Sequence, residues 1–241
     1  MLRIHSIETF GTHEGPGIRL VVFLQGCHFR CLYCHNPDTW AMKGGKLITV
    51  QEIIALLEKE LPYFQHKGGL TVSGGEPLIQ REALVELFAE AKKRGIHTAL
   101  DTNGYILDDL AKKLLDLTDL VLLDVKHIDS VIHRKLTGST NEITLKFAKY
   151  CEEKNKKIWL RYVLVPTLTD QPTFLHQWGK RFMAYKSIER VEILPYHTLG
   201  VYKYKQLRID YRLNGISPPT ERNVRQSQDI FMKYFKAVTV R

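Results

Sequence analysis

Cys27, Cys31 and Cys34 stand in the segment Gly26-Cys27-His28-Phe29-Arg30-Cys31-Leu32-Tyr33-Cys34-His35-Asn36, a C-x3-C-x2-C spacing. Thiols this dense point to metal or redox chemistry; in a reducing compartment disulfides are the poorer explanation. Three chemistries compete. Cys31-Leu32-Tyr33-Cys34-His35 satisfies C-x-x-C-H, the pattern of c-type haem attachment, but that attachment goes with export, and it would leave Cys27 without a role. Structural zinc could take the three cysteines with His28 or His35 as a tetrahedral set, yet such sites usually pair two ligand hairpins and no second Cys/His pair follows at a suitable spacing. A cubane [4Fe–4S] cluster ordinarily takes four cysteines, so three would leave one iron open to a small molecule. The remaining cysteine, Cys151, lies far down the chain on a predicted helix and reads as a small buried apolar residue.

Other residues able to do chemistry follow short apolar runs: Ser73-Gly74-Gly75-Glu76-Pro77, Asp101-Thr102-Asn103-Gly104, Asp124 with Lys126, Arg161, and Tyr196 with His197. The elements that must position them alternate along the chain. Strands are predicted near 20–23, 70–72, 97–100, 120–123, 158–163 and 191–194; helices at about 50–60, 80–94, 108–117, 140–153, 173–185 and 222–234. In the second helix Ala83, Leu84, Leu87, Phe88 and Ala91 make one apolar stripe that Gly95 ends. Six βα units of this kind predict an α/β fold around a parallel sheet. The polar groups then fall at or near the carboxyl ends of strands, which share one rim where active sites are built. No linker divides the chain, so 1–241 reads as a single domain; the stretch 197–220 is long for a loop, and a long loop is a candidate for function or for a cover over a site.

Composition closes off other classes. The 241 residues are ample for a core, and 44% hydrophobic with 25% charged residues fits a soluble globular protein rather than a disordered or collagen-like one. No apolar run approaches the roughly 20 residues of a membrane span. His5, Glu8, His13 and Glu14 stand where a signal peptide would be apolar, so the protein is expected in the cytoplasm. The net charge of +9 comes from the second half: residues 1–120 hold 13 Lys/Arg against 15 Asp/Glu, and 121–241 hold 22 against 11. Tyr202-Lys203-Tyr204-Lys205, with Arg208, Tyr211 and Arg212, interleaves aromatics and cations as a nucleic-acid-binding module does.

Taken together, the motifs carry a resemblance. Glu14-Gly15-Pro16-Gly17-Ile18-Arg19, Gln25-Gly26-Cys27, the cysteine spacing with Tyr33 before the last cysteine, and His35-Asn36-Pro37-Asp38-Thr39-Trp40 come first. Ser73-Gly74-Gly75-Glu76-Pro77, Asp101-Thr102-Asn103-Gly104, Asp124-Val125-Lys126 and Leu194-Pro195-Tyr196-His197-x-Leu199-Gly200 follow. From about residue 3 to 235 this set is similar to the glycyl-radical-enzyme activating enzymes of the radical S-adenosylmethionine superfamily.

The resemblance implies a partial (β/α)6, TIM-like barrel, the radical SAM core, and the six predicted βα units agree with it. It implies a [4Fe–4S] cluster on Cys27, Cys31 and Cys34, its open iron chelated by the amino and carboxylate groups of S-adenosylmethionine. The backbone of Tyr33, Cys34 and His35 would meet adenine; Gly74, Gly75 and Glu76 the methionyl amino group; Asp124, Val125 and Lys126 the rest of the polar moiety; and His197 the ribose or sulfonium side. The chemistry is sensible, since glycines admit close backbone approach, Glu76 offers acceptors to an ammonium and Lys126 a charge to a carboxylate. Asp101 and Asp124 would repel the cofactor's own carboxylate, and the resemblance suggests a monovalent cation on Asp101, Thr102 and Asp124 as counter-ion. Glu14 stands where the family commonly has Asp, near the incoming glycine-bearing peptide, its carboxylate one methylene further out.

The implied activity is that of an activase. An electron from the reduced cluster breaks the S–C5′ bond, and the 5′-deoxyadenosyl radical so formed takes a hydrogen from a glycine Cα of a partner protein. The catalytic group would comprise Cys27, Cys31, Cys34 and Lys126. Many relatives that serve other glycyl radical enzymes insert a ferredoxin-like segment rich in cysteine, whereas here no cysteine lies between Cys34 and Cys151; this favours pyruvate formate-lyase as partner. A flavodoxin or ferredoxin is the expected electron donor, the basic second half suiting either, and a monomer that binds neither nucleic acid nor membrane is the expected state.

Overall fold

The computed structural model describes residues 1–65 and 67–241, and its strands grow from the β-branched and leucine runs of the sequence. Two units are distinguished. The first comprises Met1–His28 and Thr39–Leu123. Its strands are β1 (Leu2–Gly11), β2 (Arg19–Leu24), β3 (Lys46–Ile48), β4 (Gly69–Gly74), β5 (His97–Thr102) and β6 (Leu120–Asp124), in the order β3-β1-β2-β4-β5-β6. From β2 to β6 the pairing is parallel, with Leu20 opposite Leu70, Leu70 opposite Thr98 and Leu100 opposite Val121. Leu120–Leu123 of β6 and Gly69–Ser73 of β4 are buried throughout, as a sheet covered on both faces requires.

Helices α1 (Val50–Phe64), α2 (Arg81–Lys93) and α3 (Asp109–Asp116) connect these strands. Helix α1 begins with a capping box: Glu52 N donates to Thr49 Oγ1 at 3.1 Å, and Thr49 N donates back to the Glu52 carboxylate at 2.7 Å. Helix α2 buries Leu84, Leu87, Phe88 and Ala91, the predicted stripe, and ends just ahead of Gly95. Asp108 caps α3 by accepting from Ala111 N at 2.9 Å, and the same carboxylate holds Arg81 at the start of α2.

The second unit comprises Phe29–Asp38 and Asp124–Arg241. It carries α4 (Ser130–Thr137), α5 (Glu142–Glu153), β7 (Lys157–Leu164), α6 (Pro172–Phe182), β8 (Ile188–Pro195), α7 (Val201–Leu207), α8 (Glu221–Met232) and β9 (Val238–Val240). Strands β7, β8 and β9 are parallel neighbours. Between them and helices α6 and α8 sits an aromatic core: Trp178 lies 5.1 Å from Phe182 and 5.0 Å from Phe231, and Tyr162 lies 5.4 Å from Phe231, ring centre to ring centre. Each such pair adds about 0.5–1.5 kcal/mol beyond its burial.

All six predicted strands and six predicted helices are present; β1, β3, β9, α4 and α7 are additional. The stretch 197–220 is therefore not a plain loop, because α7 lies within it. Arg161 also departs from expectation. It sits in the interior of β7 opposite Glu192 of β8, and its Nε donates to that buried carboxylate at 3.1 Å, so it serves the sheet rather than the strand ends.

Candidate active site

In the first unit the loop after β2 is stitched to the loop after β4. Gly75 N donates to Leu24 O at 2.9 Å and Glu76 N to Gly26 O at 2.8 Å, while Cys27 N donates to Trp40 O at 3.3 Å. A Cβ on Gly75 would come within 2.1 Å of Gly26 O, so this approach of two backbones requires glycine. Cys27 is buried, ready to project from a fixed backbone.

Glu76 is the hub of this unit's strand ends. Its carboxylate accepts from Leu78 N at 2.9 Å, from Thr102 Oγ1 at 2.5 Å and from Asn103 N at 2.8 Å. These bonds cap the short turn Pro77–Gln80 and tie it to the end of β5. Burial pushes the Glu76 carboxyl up to about 7 against the opposing pull of its donors. Asp101 accepts from Ser73 Oγ at 2.6 Å, which joins the same two strand ends a second time. In the first loop Thr71 Oγ1 donates to the backbone carbonyl of Glu14 at 2.6 Å, and the half-buried Glu14 carboxylate accepts from His13 N at 3.2 Å.

The second unit holds the rest of the cysteine loop. Arg30 N and Leu32 N donate to Thr137 O and Leu136 O at 2.7 and 2.9 Å, so the last carbonyls of α4 are used to grip the loop; Cys34 N donates to Cys31 O at 3.1 Å. Phe29 packs edge-on to His133 of α4. Tyr33 is buried with Leu136, Val165, Tyr196 and Leu213, and Cys31 and Leu32 pack on that cluster. Burial raises the Tyr33 phenol far above its usual range, and its hydroxyl has no hydrogen-bond partner among the described residues.

Lys126 Nζ stands 2.8 Å from Asp124 Oδ1, an ion pair by distance that lacks the alignment of a hydrogen bond, and lies 5.9 Å from the centre of the Tyr33 ring. Val125, between them, is fully buried and accepts from Trp178 Nε1 at 3.2 Å, which fixes the backbone that presents both charged neighbours. The exposed rings of His35 and His197 meet edge to face at 4.8 Å. Partial desolvation, with His197 and Lys203 nearby, holds His35 below the usual imidazole range.

The donor set fits an iron–sulfur cluster: Cys27, Cys31 and Cys34 are joined in no disulfide and share one short loop, and a cubane takes one thiolate on each iron that the protein holds. Cys151 is fully buried on α5 with its thiol pushed up to about 12 by burial, an inert environment for a ligand.

Sequence reasoning missed four residues that hold the loop: Leu136 and Thr137, through their carbonyls, and Lys203 and Tyr204. Lys203 Nζ donates to Asn36 Oδ1 at 2.6 Å and Tyr204 OH to Cys34 O at 3.0 Å. Within the aromatic and cationic run, Tyr202 is exposed while Tyr204 is buried, so its residues do not form one continuous outer surface. Helical spacing of Gly200, Lys203 and Tyr204 was the available signal.

Comparison with known proteins agrees with this picture. The radical SAM superfamily matches residues 21–175. The pyruvate formate-lyase 1-activating enzyme of Escherichia coli is 44% identical over 239 residues, covering 96% of each chain. The pyruvate formate-lyase-activating enzyme of Clostridium pasteurianum is 48% identical over 217 residues, covering 90% of this chain and 91% of its own. Among solved structures, Streptococcus suis SuiB bound to precursor peptide SuiA superposes with a TM-score of 0.72 at 17% identity, over 98% of this chain and 50% of that one. A domain of pyruvate-formate lyase-activating enzyme from Bacteroides vulgatus gives 0.61 at 23% identity, over 72% and 99%. These structures share the fold, an α/β partial (β/α)6 barrel with the radical SAM core. The cofactors of the family are a [4Fe–4S] cluster and S-adenosylmethionine. On a match that runs almost from end to end, the chain belongs to the pyruvate formate-lyase-activating enzymes of the radical SAM superfamily.

Proposed function

We propose that this chain activates pyruvate formate-lyase and that Cys27, Cys31 and Cys34 each bind one iron, the fourth being left to S-adenosylmethionine. Together, cluster and cofactor supply reductive cleavage of the S–C5′ bond and removal of a hydrogen from a glycine Cα of the partner. The protein's own residues orient and shield that chemistry. From the first unit, Gly74, Gly75 and Glu76 would receive the methionyl amino group, and the three donors that reach the Glu76 carboxylate fix its orientation while leaving it acceptor capacity. From the second, Lys126 offers its ammonium to the cofactor carboxylate with Asp124 beside it, the backbone of Tyr33, Cys34 and His35 meets adenine, and the exposed His197 meets the ribose or sulfonium side. Asp101, Thr102 and Asp124 would take a monovalent cation; Asp101 accepts from Ser73, Thr102 donates to Glu76, and Asp124 pairs with Lys126. Glu14, held through its carbonyl by Thr71, meets the glycine-bearing peptide.

One observation carries this reading: the thiols of Cys27, Cys31 and Cys34, joined in no disulfide, lie on a single loop whose backbone is bonded down at Gly26, Cys27, Arg30, Leu32 and Cys34. A flavodoxin or ferredoxin as donor, a monomeric single domain and a cytoplasmic setting belong to the same proposal. The basic second half supports an acidic donor, and among the described residues no helix is long and apolar enough to cross a membrane.

The test is anaerobic mixing with pyruvate formate-lyase, reductant and S-adenosylmethionine. A glycyl radical signal in electron paramagnetic resonance, with formate-producing activity, is the expected result. A signal only with a different glycyl radical enzyme would keep the activase class and reject the partner; no signal with any would reject the function.

A further inference from the structure

The segment after His197 contributes more than its histidine. Gly200, Lys203 and Tyr204 recur at the spacing that puts side chains on one face of a helix, and each meets the same short piece of the cysteine loop. A Cβ on Gly200 would come within 2.5 Å of His35 O. Lys203 Nζ donates to Asn36 Oδ1 at 2.6 Å and lies 3.1 Å from Asp38 Oδ2, with its side chain 15% exposed. Tyr204 OH donates to Cys34 O at 3.0 Å from a buried ring. The contacts thus fall on the consecutive residues Cys34, His35 and Asn36. Behind them, the Tyr204 ring packs 4.8 Å from Tyr211, whose hydroxyl meets that of Tyr196 at 2.5 Å. The latch is therefore backed by the apolar cluster that also buries Tyr33.

We propose that Lys203 and Tyr204 are positioning residues that hold the Cys34–Asn36 backbone in the conformation that receives the adenine side of S-adenosylmethionine. The proposal rests on the cofactor assignment above. Neither side chain needs to touch the cofactor. By fixing a backbone strip that would otherwise be ordered at the expense of binding, they move that cost into folding.

The experiment uses the anaerobically reconstituted holoprotein with its cluster oxidised, so that S-adenosylmethionine binds without being cleaved. Iron and sulfide are assayed and the cofactor dissociation constant is measured by calorimetry for the parent, Tyr204→Phe, Lys203→Gln, Lys203→Arg and Tyr211→Phe. Tyr204→Phe and Lys203→Gln should keep full iron and weaken binding about 2- to 10-fold, the range of one lost hydrogen bond. Lys203→Arg should recover most of that loss, and Tyr211→Phe should bind as the parent does. Unchanged affinity in both test variants overturns the proposal. So does loss of iron in Tyr204→Phe, which would make the latch a support of the cluster, and so does equal weakening in Tyr211→Phe, which would make the effect one of general packing. A parent with full iron that binds no S-adenosylmethionine overturns the cofactor reading itself, and the latch with it.

Discussion

Thr102 donates its hydroxyl to the carboxylate of Glu76 at 2.5 Å, joining the end of β5 to the turn that follows β4. The pair is buried, and burial pushes the Glu76 carboxyl from an ordinary 4.5 up to about 7. The folded chain thus holds this proton more tightly than the unfolded chain does. Its contribution to stability is fully present below about 4.5 and is lost as the pH rises through about 7, at up to roughly 1.4 kcal/mol per pH unit between those values. Denaturation midpoints measured from about pH 5 to 8 should fall with rising pH in the parent relative to Glu76→Gln, which has no proton to lose. Parallel curves would remove the raised value from Glu76.

Lys126 is paired with Asp124 at 2.8 Å, and its side chain is only 13% exposed. A charge so placed can meet a carboxylate without adding to the iron ligands. Lys126→Ala should keep parental iron and sulfide while weakening S-adenosylmethionine binding by about 1.5–3 kcal/mol, the range of a charge-assisted hydrogen bond. Equal affinity in calorimetric titrations of variant and parent would take Lys126 out of the site.

The four cysteines divide by environment. Replacing Cys27, Cys31 or Cys34 by Ala should abolish the reconstituted cluster and cleavage of S-adenosylmethionine. Cys151→Ala should leave both intact and cost about 1 kcal/mol for the small cavity left in the core around α5. Visible absorbance and iron analysis of the four variants read the outcome, and a cluster missing from Cys151→Ala would break the three-ligand assignment.

Much of this was legible in the sequence because buried strands announce themselves. Leu120–Leu123 is apolar without interruption, Leu70 and Val72 are β-sheet formers around a single buried threonine, and α2 repeats its leucines at helical spacing. What escaped notice lacks that signature. Strand β1, between β2 and the edge strand β3, alternates more and less buried residues and reads as a polar N-terminus; α7 buries Tyr204 alone, so no stripe marks it as a helix. The site was legible as residue types but not as hydrogen bonds. Glu76 reads as an acceptor for a ligand's ammonium, and its residue type gives no sign of the three donors from its own unit that fix the carboxylate. Those donors are two backbone amides and one hydroxyl, and no spacing of side chains reports where backbone amides point.

Arg19 carries the last expectation. Its guanidinium is fully buried, and burial pulls it down to about 9. It donates to Thr71 Oγ1 at 2.9 Å and to the carbonyls of Pro16 and Lys67 at 3.4 Å, of Leu70 at 2.5 Å and of His97 at 3.3 Å. Thr71 passes the restraint on to the carbonyl of Glu14. One planar fork therefore fixes the first loop to β4 and β5. A lysine ammonium cannot reach acceptors spread around a plane in this way, and each buried carbonyl left without a donor costs about 1–3 kcal/mol. Arg19→Lys should lower the thermal midpoint by several degrees, at about 2–4 °C per kcal/mol for a chain of this length. At a temperature where the variant is folded, it should raise KM for the glycine-bearing partner and leave partner-free cleavage of S-adenosylmethionine unchanged. The split between those two rates distinguishes a loop that receives the partner from one that only stabilises the fold: an unaltered KM alongside a lowered midpoint would restrict Arg19, and with it the loop bearing Glu14, to stability.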